Sequence, residues 1–517
     1  MPELQESIAT HYHERTKYDP ETIAAKGQGL NWATQPIPFK EYKIGTSFDL
    51  KPYLKENPEA FVDEAAGSWW QRLSRLLLCS YGLTARLPTM MGDDLYLRAA
   101  PSAGGLYPAE VYLISRGTPL LPPGLYNYQP KTHSLIHFWE SDVWIALQNA
   151  CFWHPVLENT ELAIVTTAIF YRSAWRYQDR AYRRIFLDTG HLLGNIELAS
   201  SINDFRSHLI GGFIDEGVNQ LLYLDPEQEG AIAVIPIADL RDVKQNLPLA
   251  PTALPSAIDT AYPQLPDGEI LAYFHRATQI VETGDLPSVS NPPAIASEVV
   301  TEKSLEDKYN FPFCLKVSTV TTPINWGENL EGLESTILKR RSTRAYSGAE
   351  LTLNELKALL DFTYQPQNYI DQGLDSSPDY FDLSLIETFI AVSGVTGLEE
   401  GCYYYAPKAQ ELRQIRFKNF RRELHYLCLG QDLGRDAGAV LFHTADLKTA
   451  VSKYGDRVYR YLHMDAGHLG QRLNLAAIYL NLGVSGIGGF FDDQVNEVLG
   501  IPADEAVLYI TTLGRPR

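Results

Sequence analysis

A chain of 517 residues exceeds what one ordinary core can fill and points to about two to four domains. Hydrophobic residues make up 45% and charged residues 21%, the composition of a globular protein and not of a disordered one. The formal net charge of −19 argues against nucleic-acid or anionic-membrane partners, because phosphate binding needs a basic footprint. The N-terminal stretch "MPELQESIATHYHERTKY" has neither the basic n-region nor the apolar h-region of a signal peptide. No apolar run approaches the roughly 18 residues of a membrane helix. Five cysteines without CxxC or metal-site spacing suit reduced thiols, and the expected location is cytoplasmic.

Along the chain, "AEVYLISRG" reads as a strand from its β-branched and aromatic content, and "PPGLYNYQPKTHSLIHF" as a hairpin. "LAIVTTAIF" reads as a strand buried on both faces. The Pro-rich "NLPLAPTALPSAIDTAYPQLP" marks a joint, and "DLPSVSNPPAIAS" a second loop-like segment. Beyond it, "LTLNELKALLDFTY" opens with a capping box, Thr352 to Glu355. "ETFIAVSGV" is a strand, "EEGCYYYAPKAQELRQI" a hairpin and "GAVLFHTAD" a second central strand. "DAGHLGQRLNLAAIYLNLGV" is apolar on most faces and predicts a central helix ending at Gly483. Strands and helices do not alternate regularly, so the class is α+β.

The order of elements repeats, and so does the sequence. "WRYQDRAYRRIFLDTGHLLG" (175–194) and "SKYGDRVYRYLHMDAGHLGQ" (452–471) agree at nine of twenty positions, where unrelated segments share roughly one. A shift of 277 carries Asp188 to Asp465 and His191 to His468. It also carries Glu110 to Glu387, Gly124 to Gly401, Cys151 to Cys428 and Gly212 to Gly489. A weaker echo links "YHERT" (12–16) with "FHRAT" (274–278). The chain therefore predicts a fused tandem dimer. One half spans 1–250 and the other 251–517, the second opening with a leader over about 251–330. Such a chain re-creates within itself the two-fold interface that homodimers form between chains.

Three constellations can carry chemistry. "LKRRSTRAYSG" gathers Arg340, Arg341, Ser342 and Arg344, a candidate phosphate cradle or a solvated basic face. "RAAPSAGGLYPAEVYL" holds Pro101, Ser102, Ala103, Gly104 and Gly105, a small-residue loop that admits a flat or anionic ligand or simply makes a turn. "GVSGIGGFFDD" places Gly488 and Gly489 after a short strand, for close contact with a planar ring or for a sharp bend. Asp188/His191 and Asp465/His468, three apart on a helix, read as buried hydrogen-bonded pairs, and no metal is expected.

Together "RRSTR", "PSAGGLYP", "KYGDRVYRY…DAGH" and "GIGGF" resemble the nitroreductase-like flavoproteins, and within them the SagB-type dehydrogenases that include thiazoline and oxazoline oxidases. The resemblance covers nearly the whole chain. It implies two fused nitroreductase-like domains in an intramolecular pseudo-dimer, with FMN at the two-fold interface. It assigns Arg340, Arg341, Ser342, Arg344 and Arg515 to cofactor binding. Pro101 to Gly105 would cover the flavin from the other half, and Gly488 and Gly489 would approach its ring. The second half lacks the glycine loop, reading "SSPDYFDLSL", and the first lacks the arginines, reading "KPYLKENPEAF". One composite site per chain is expected. The resemblance also sets Lys453 and Tyr454 beside the retained flavin as base and partner, and makes Arg176 the mark of the dead half, since arginine stays protonated. The implied reaction oxidises a peptide azoline to an azole, with hydride to flavin N5 and reoxidation by oxygen. The substrate is then a peptide or small molecule, and a peptide cyclodehydratase is a candidate partner. The assembly is a monomeric pseudo-dimer or a higher homo-oligomer. The alternatives are an NAD(P)H-dependent nitro or quinone reductase and a non-catalytic component of a peptide-modifying complex.

Overall fold

Two seven-stranded antiparallel sheets carry the chain in its computed structural model, which describes residues 6–23, 29–55, 63–88, 94–241, 251–281, 306–311 and 314–517. The first sheet runs Thr46–Asp49, Ser134–Trp139, Gly124–Gln129, Ala109–Ser115, Leu162–Ile169, Glu229–Asp239, Phe205–Ser207. The second repeats that order with Lys316–Ser318, Glu411–Arg416, Gly401–Ala406, Glu387–Val392, Ala439–Asp446, Glu505–Gly514, Gly483–Ile487. Both hairpins and both central strands form where the sequence predicts them. The central strands are buried along nearly their whole length, which their unbroken apolar runs require. The capping box is made: Glu355 N donates to Thr352 Oγ1, and Thr352 N to Glu355 Oε2.

Between the sheets lie two helices, Ala181–Ile202 and Val458–Tyr479, related by the same shift of 277. Every residue from Ala181 to Ser200 and from Val458 to Ala477 is buried, which explains helices apolar on almost all faces. They cross at Gly190 and Gly467. A Cβ on Gly190 would overlap the Met464 carbonyl oxygen, and one on Gly467 would overlap that of Leu187. Each glycine thus meets the symmetry mate of what the other meets, as an isologous two-fold contact demands.

The repeated Asp-Arg-x-x-Arg segment pins the two halves together. Arg180 and Arg183 both pair with Asp492, Nη1 to carboxylate 2.8 and 2.7 Å. Their mates Arg457 and Arg460 pair with Asp215, at 2.6 and 2.8 Å. The faint echo is also structural. Arg183 Nε donates to Thr16 Oγ1, and Arg460 Nε to Thr278 Oγ1, from helices Ile8–Thr16 and Ile270–Ala277. Tyr12 and Phe274, the mates from those helices, stack at 4.4 Å.

Two expectations change. The second central helix starts at Val458 and stops at Tyr479, short of Gly483, which opens a strand. Asn481 takes the left-handed conformation (φ 58°), with Asn481 N bonded to Ile478 O and Leu482 N to Ala477 O, a helix stop made by asparagine and not by glycine. The Pro-rich joint is no free linker over its described residues: Ser256 N donates to Tyr454 O and Asp259 N to Asp456 Oδ2. "DLPSVSNPPAIAS" lies outside the described residues.

Candidate active site

The small-residue loop is held down by the first central helix. Asp188 accepts the Ser102 hydroxyl at 2.6 Å and the Ala103 amide at 3.1 Å, and Ser102 Oγ accepts from Tyr107 N. Gly104 and Gly105 adopt φ of 65° and 67°, which lets the loop turn without placing side chains in its path. Burial raises the Asp188 carboxyl to about 7, against the Ser102 and Ala103 donors and nearby Arg184, which favour its charge. Asp188 and His191 do not bond each other. His191 donates from Nδ1 to Gln471 Oε1, and Tyr509 donates to its Nε2, both at 2.9 Å. Burial drives its pKa down to about 3, so the ring is neutral.

Opposite this loop, the second half supplies Ser342, Arg344, Ser485, Gly486, Gly488 and Tyr509. The cleft between them is lined on the first-half side by Pro101–Gly104, Arg184, Leu187, Asp188 and His191. Two glycines thin its wall: a Cβ on Gly486 would overlap Tyr509 Oη, and one on Gly488 would overlap Arg184 Nη1. The Arg184 guanidinium lies 3.8 Å over the Tyr177 ring. Tyr177 Oη and Arg176 Cδ close the Gly104 side, 2.8 and 3.4 Å from where a Cβ would stand.

At the symmetry-related position the cleft is filled. Asp465, mate of Asp188, accepts from Phe381 N and Asp382 N at 3.0 and 2.9 Å. Phe381 stacks on Tyr461, the mate of Arg184, at 4.7 Å and packs where Gly211 leaves room. Tyr380 stacks on His468 at 4.3 Å. The bulk read in "SSPDYFDLSL" therefore occupies the space that Ala103 and Gly104 leave open in the other half.

A nitroreductase family model matches residues 48–238 and 337–515, the two halves in turn. The chain belongs to the nitroreductase family. Over 183 residues it is 34% identical to "Putative nitroreductase MJ1384" of Methanocaldococcus jannaschii, covering 35% of this chain and 90% of that one. It is 26% identical over 159 residues to the microcin B17-processing protein McbC of Escherichia coli, covering 28% of this chain and 56% of that one. A crystal structure from Anabaena variabilis, also named a putative nitroreductase, is 74% identical, with TM-score 0.93 over 99% of this chain and 100% of that one.

Nitroreductase-family proteins are flavin-dependent oxidoreductases, and the open cleft suits a flavin. A Cβ on Gly486 or Gly488 would run into Tyr509 or Arg184, so the wall facing the Ser102–Ala103 loop is bare backbone there, as a planar ring needs. Of the residues expected at the cofactor, Pro101, Ser102, Ala103, Gly104, Ser342, Arg344 and Gly488 line the cleft. Gly105 and Gly489 sit just behind it, Gly489 beside Leu429 and Tyr18. Three expected arginines turn elsewhere, because carbonyls and a carboxylate lie closer. Arg340 donates to Ala99 O (2.7 Å) and Arg98 O (3.1 Å), bracing the strand that feeds the loop. Arg341 donates to Thr84 O and Oγ1. Arg515 pairs with Glu355.

Lys453 and Tyr454 are the larger correction. Both bond Asp382 Oδ2, at 2.7 and 3.1 Å, at the filled position. The pair beside the open cleft is Arg176 and Tyr177. The helix carrying Lys453 belongs with Asp465 and its plug, so the lysine lies across the pseudo-two-fold from the cleft. Arg184, Tyr177, Ser485 and Tyr509 were missed from sequence. For Arg184 a signal existed, since it faces Tyr461 in the aligned repeats.

Proposed function

We propose that this chain is an FMN-dependent oxidoreductase with one active site, in the cleft between Pro101–Gly104 and Ser485–Gly488, and that it reduces a small electron-poor substrate. The observation that carries this reading is the asymmetry of the two related positions. One is open and lined by Arg184 and Arg344; the other is plugged by Tyr380 and Phe381 and keeps Lys453 for itself. FMN, when bound and reduced by NAD(P)H, would supply the hydride. Arg344 and Ser342 would hold its phosphate side, and the Ser102–Ala103 loop would cover the ring. Gly486 and Gly488 keep the opposite wall thin. Burial raises the Tyr177 hydroxyl above its ordinary value, so it stays protonated and can give its proton to a reduced product.

Azoline dehydrogenation is the second reading, favoured by similarity to a microcin-processing protein and by Asp188, whose pKa of about 7 suits a base. A cyclodehydratase partner belongs to that reading. The two are separated by offering the flavin-loaded protein NAD(P)H with a quinone or nitroarene, and separately a thiazoline peptide with oxygen. Turnover of the first pair is expected. Turnover of the peptide alone overturns the reductase reading.

A further inference from the structure

Arg184 is a cation in the wrong place for a structural residue. It is 7% exposed, its Nε has no hydrogen-bond partner, and no carboxylate among the described residues forms an ion pair with it. Asp188, one turn on, acts on it through space, but the Asp188 oxygens are taken by Ser102 and Ala103. The other buried arginines on these two helices and at their N-caps each have a counter-charge: Arg180, Arg183, Arg457, Arg460 and Arg472 all reach carboxylates. A buried guanidinium without a counter-charge is costly unless something brings one. Tyr177 beneath it and the missing Cβ of Gly488 beside it hold the group in the cleft. In the plugged position the same place holds Tyr461, which supports Phe381 and needs no anion.

We infer that Arg184 selects the substrate, by pairing with a carboxylate or similar planar anion carried next to the group that reacts. This rests on the cleft being the redox site proposed above. A guanidinium and a carboxylate match in a two-bond geometry that a neutral amide cannot copy. Arg344, exposed at the cleft edge, is left to the cofactor phosphate.

The test titrates benzoate and benzamide into the flavin-loaded protein and follows the visible absorbance of the bound flavin. It then compares 4-nitrobenzoate with 4-nitrobenzamide as acceptors. The wild type is expected to prefer each acid. Arg184→Met should weaken benzoate by about thirty-fold, the scale of a charge-assisted hydrogen bond, and leave benzamide and FMN affinity within about three-fold. Arg184→Lys should restore part of the benzoate binding. Equal loss for acid and amide, or a wild type without preference, overturns the inference. So does a tenfold loss of FMN affinity in Arg184→Met, which gives the guanidinium to the cofactor. If neither acceptor is turned over while the benzoate preference and its dependence on Arg184 persist, the reductase reading falls and the role of Arg184 stands.

Discussion

Lys453 and Asp382 form an ion pair, Nζ to Oδ2 at 2.7 Å, on the side of the pseudo-dimer where the cleft is plugged. Asp382 also donates its backbone N–H to Asp465, so the pair belongs to the plug and not to a reaction site. The lysine side chain is 50% exposed. Lys453→Met is therefore expected to change turnover by less than about two-fold and stability by no more than about 1 kcal/mol. A loss of turnover of a hundred-fold, the scale of a positioned general base, would return Lys453 to the chemistry.

The two kinds of glycine contact predict opposite outcomes for the same substitution. Gly190→Ala drives a methyl into the Met464 backbone at the helix crossing, where neither helix can yield. It should cost about 1–3 kcal/mol or more, seen as a drop in thermal midpoint. Gly488→Ala meets the end of the Arg184 side chain, which can move aside. It should fold normally and show the anion-binding defect of Arg184→Met.

The buried Asp492 triad predicts an acid-sensitive fold. Burial by itself would raise the Asp492 carboxyl, but Arg180 and Arg183 outweigh it and hold the group below the usual carboxylate range. Its contribution is present above the unfolded value of about 3.9 and is lost as pH falls through the lower folded value. Asp492→Asn leaves two buried guanidiniums without their counter-charge. It should cost about 3–5 kcal/mol at neutral pH and flatten the fall of the thermal midpoint below about pH 4.

Asp188 predicts a second pH effect with the opposite sign. Its folded pKa of about 7 exceeds that of the unfolded chain, so its contribution to stability declines as pH rises from about 4 to 7. Ser102 donates to it, and Arg184, Tyr81, Tyr177 and Tyr509 act on it through space. Ionisation of Asp188 adds a negative charge near Arg184, so benzoate binding should weaken as pH rises through 7. In Asp188→Asn that dependence should vanish between pH 6 and 8. An unchanged profile would assign the titration to another group.

The tandem fold was legible because a constant shift of 277 holds from Glu110 to Gly212 and carries the repeated Asp-Arg-x-x-Arg segment. The plug was legible too, as Tyr380 and Phe381 standing where the other half has Ala103 and Gly104. The side on which Lys453 sits was not. That depends on how each half's helix faces each loop across the two-fold, which linear spacing does not encode. Arg340 and Arg341 misled for a related reason. A run of arginines reads as a ligand cradle, but unsatisfied carbonyls at Arg98 and Ala99, and the Thr84 backbone, claimed two of them.

Flavin content per chain is the decisive quantity. The protein is loaded with excess FMN, freed of unbound cofactor, and its flavin absorbance after denaturation is set against chain concentration from amino-acid analysis. One open cleft and one plugged by Tyr380 and Phe381 predict a ratio of about one. A ratio near two would mean that the plugged position accepts flavin as well, and would contradict the single-site pseudo-dimer.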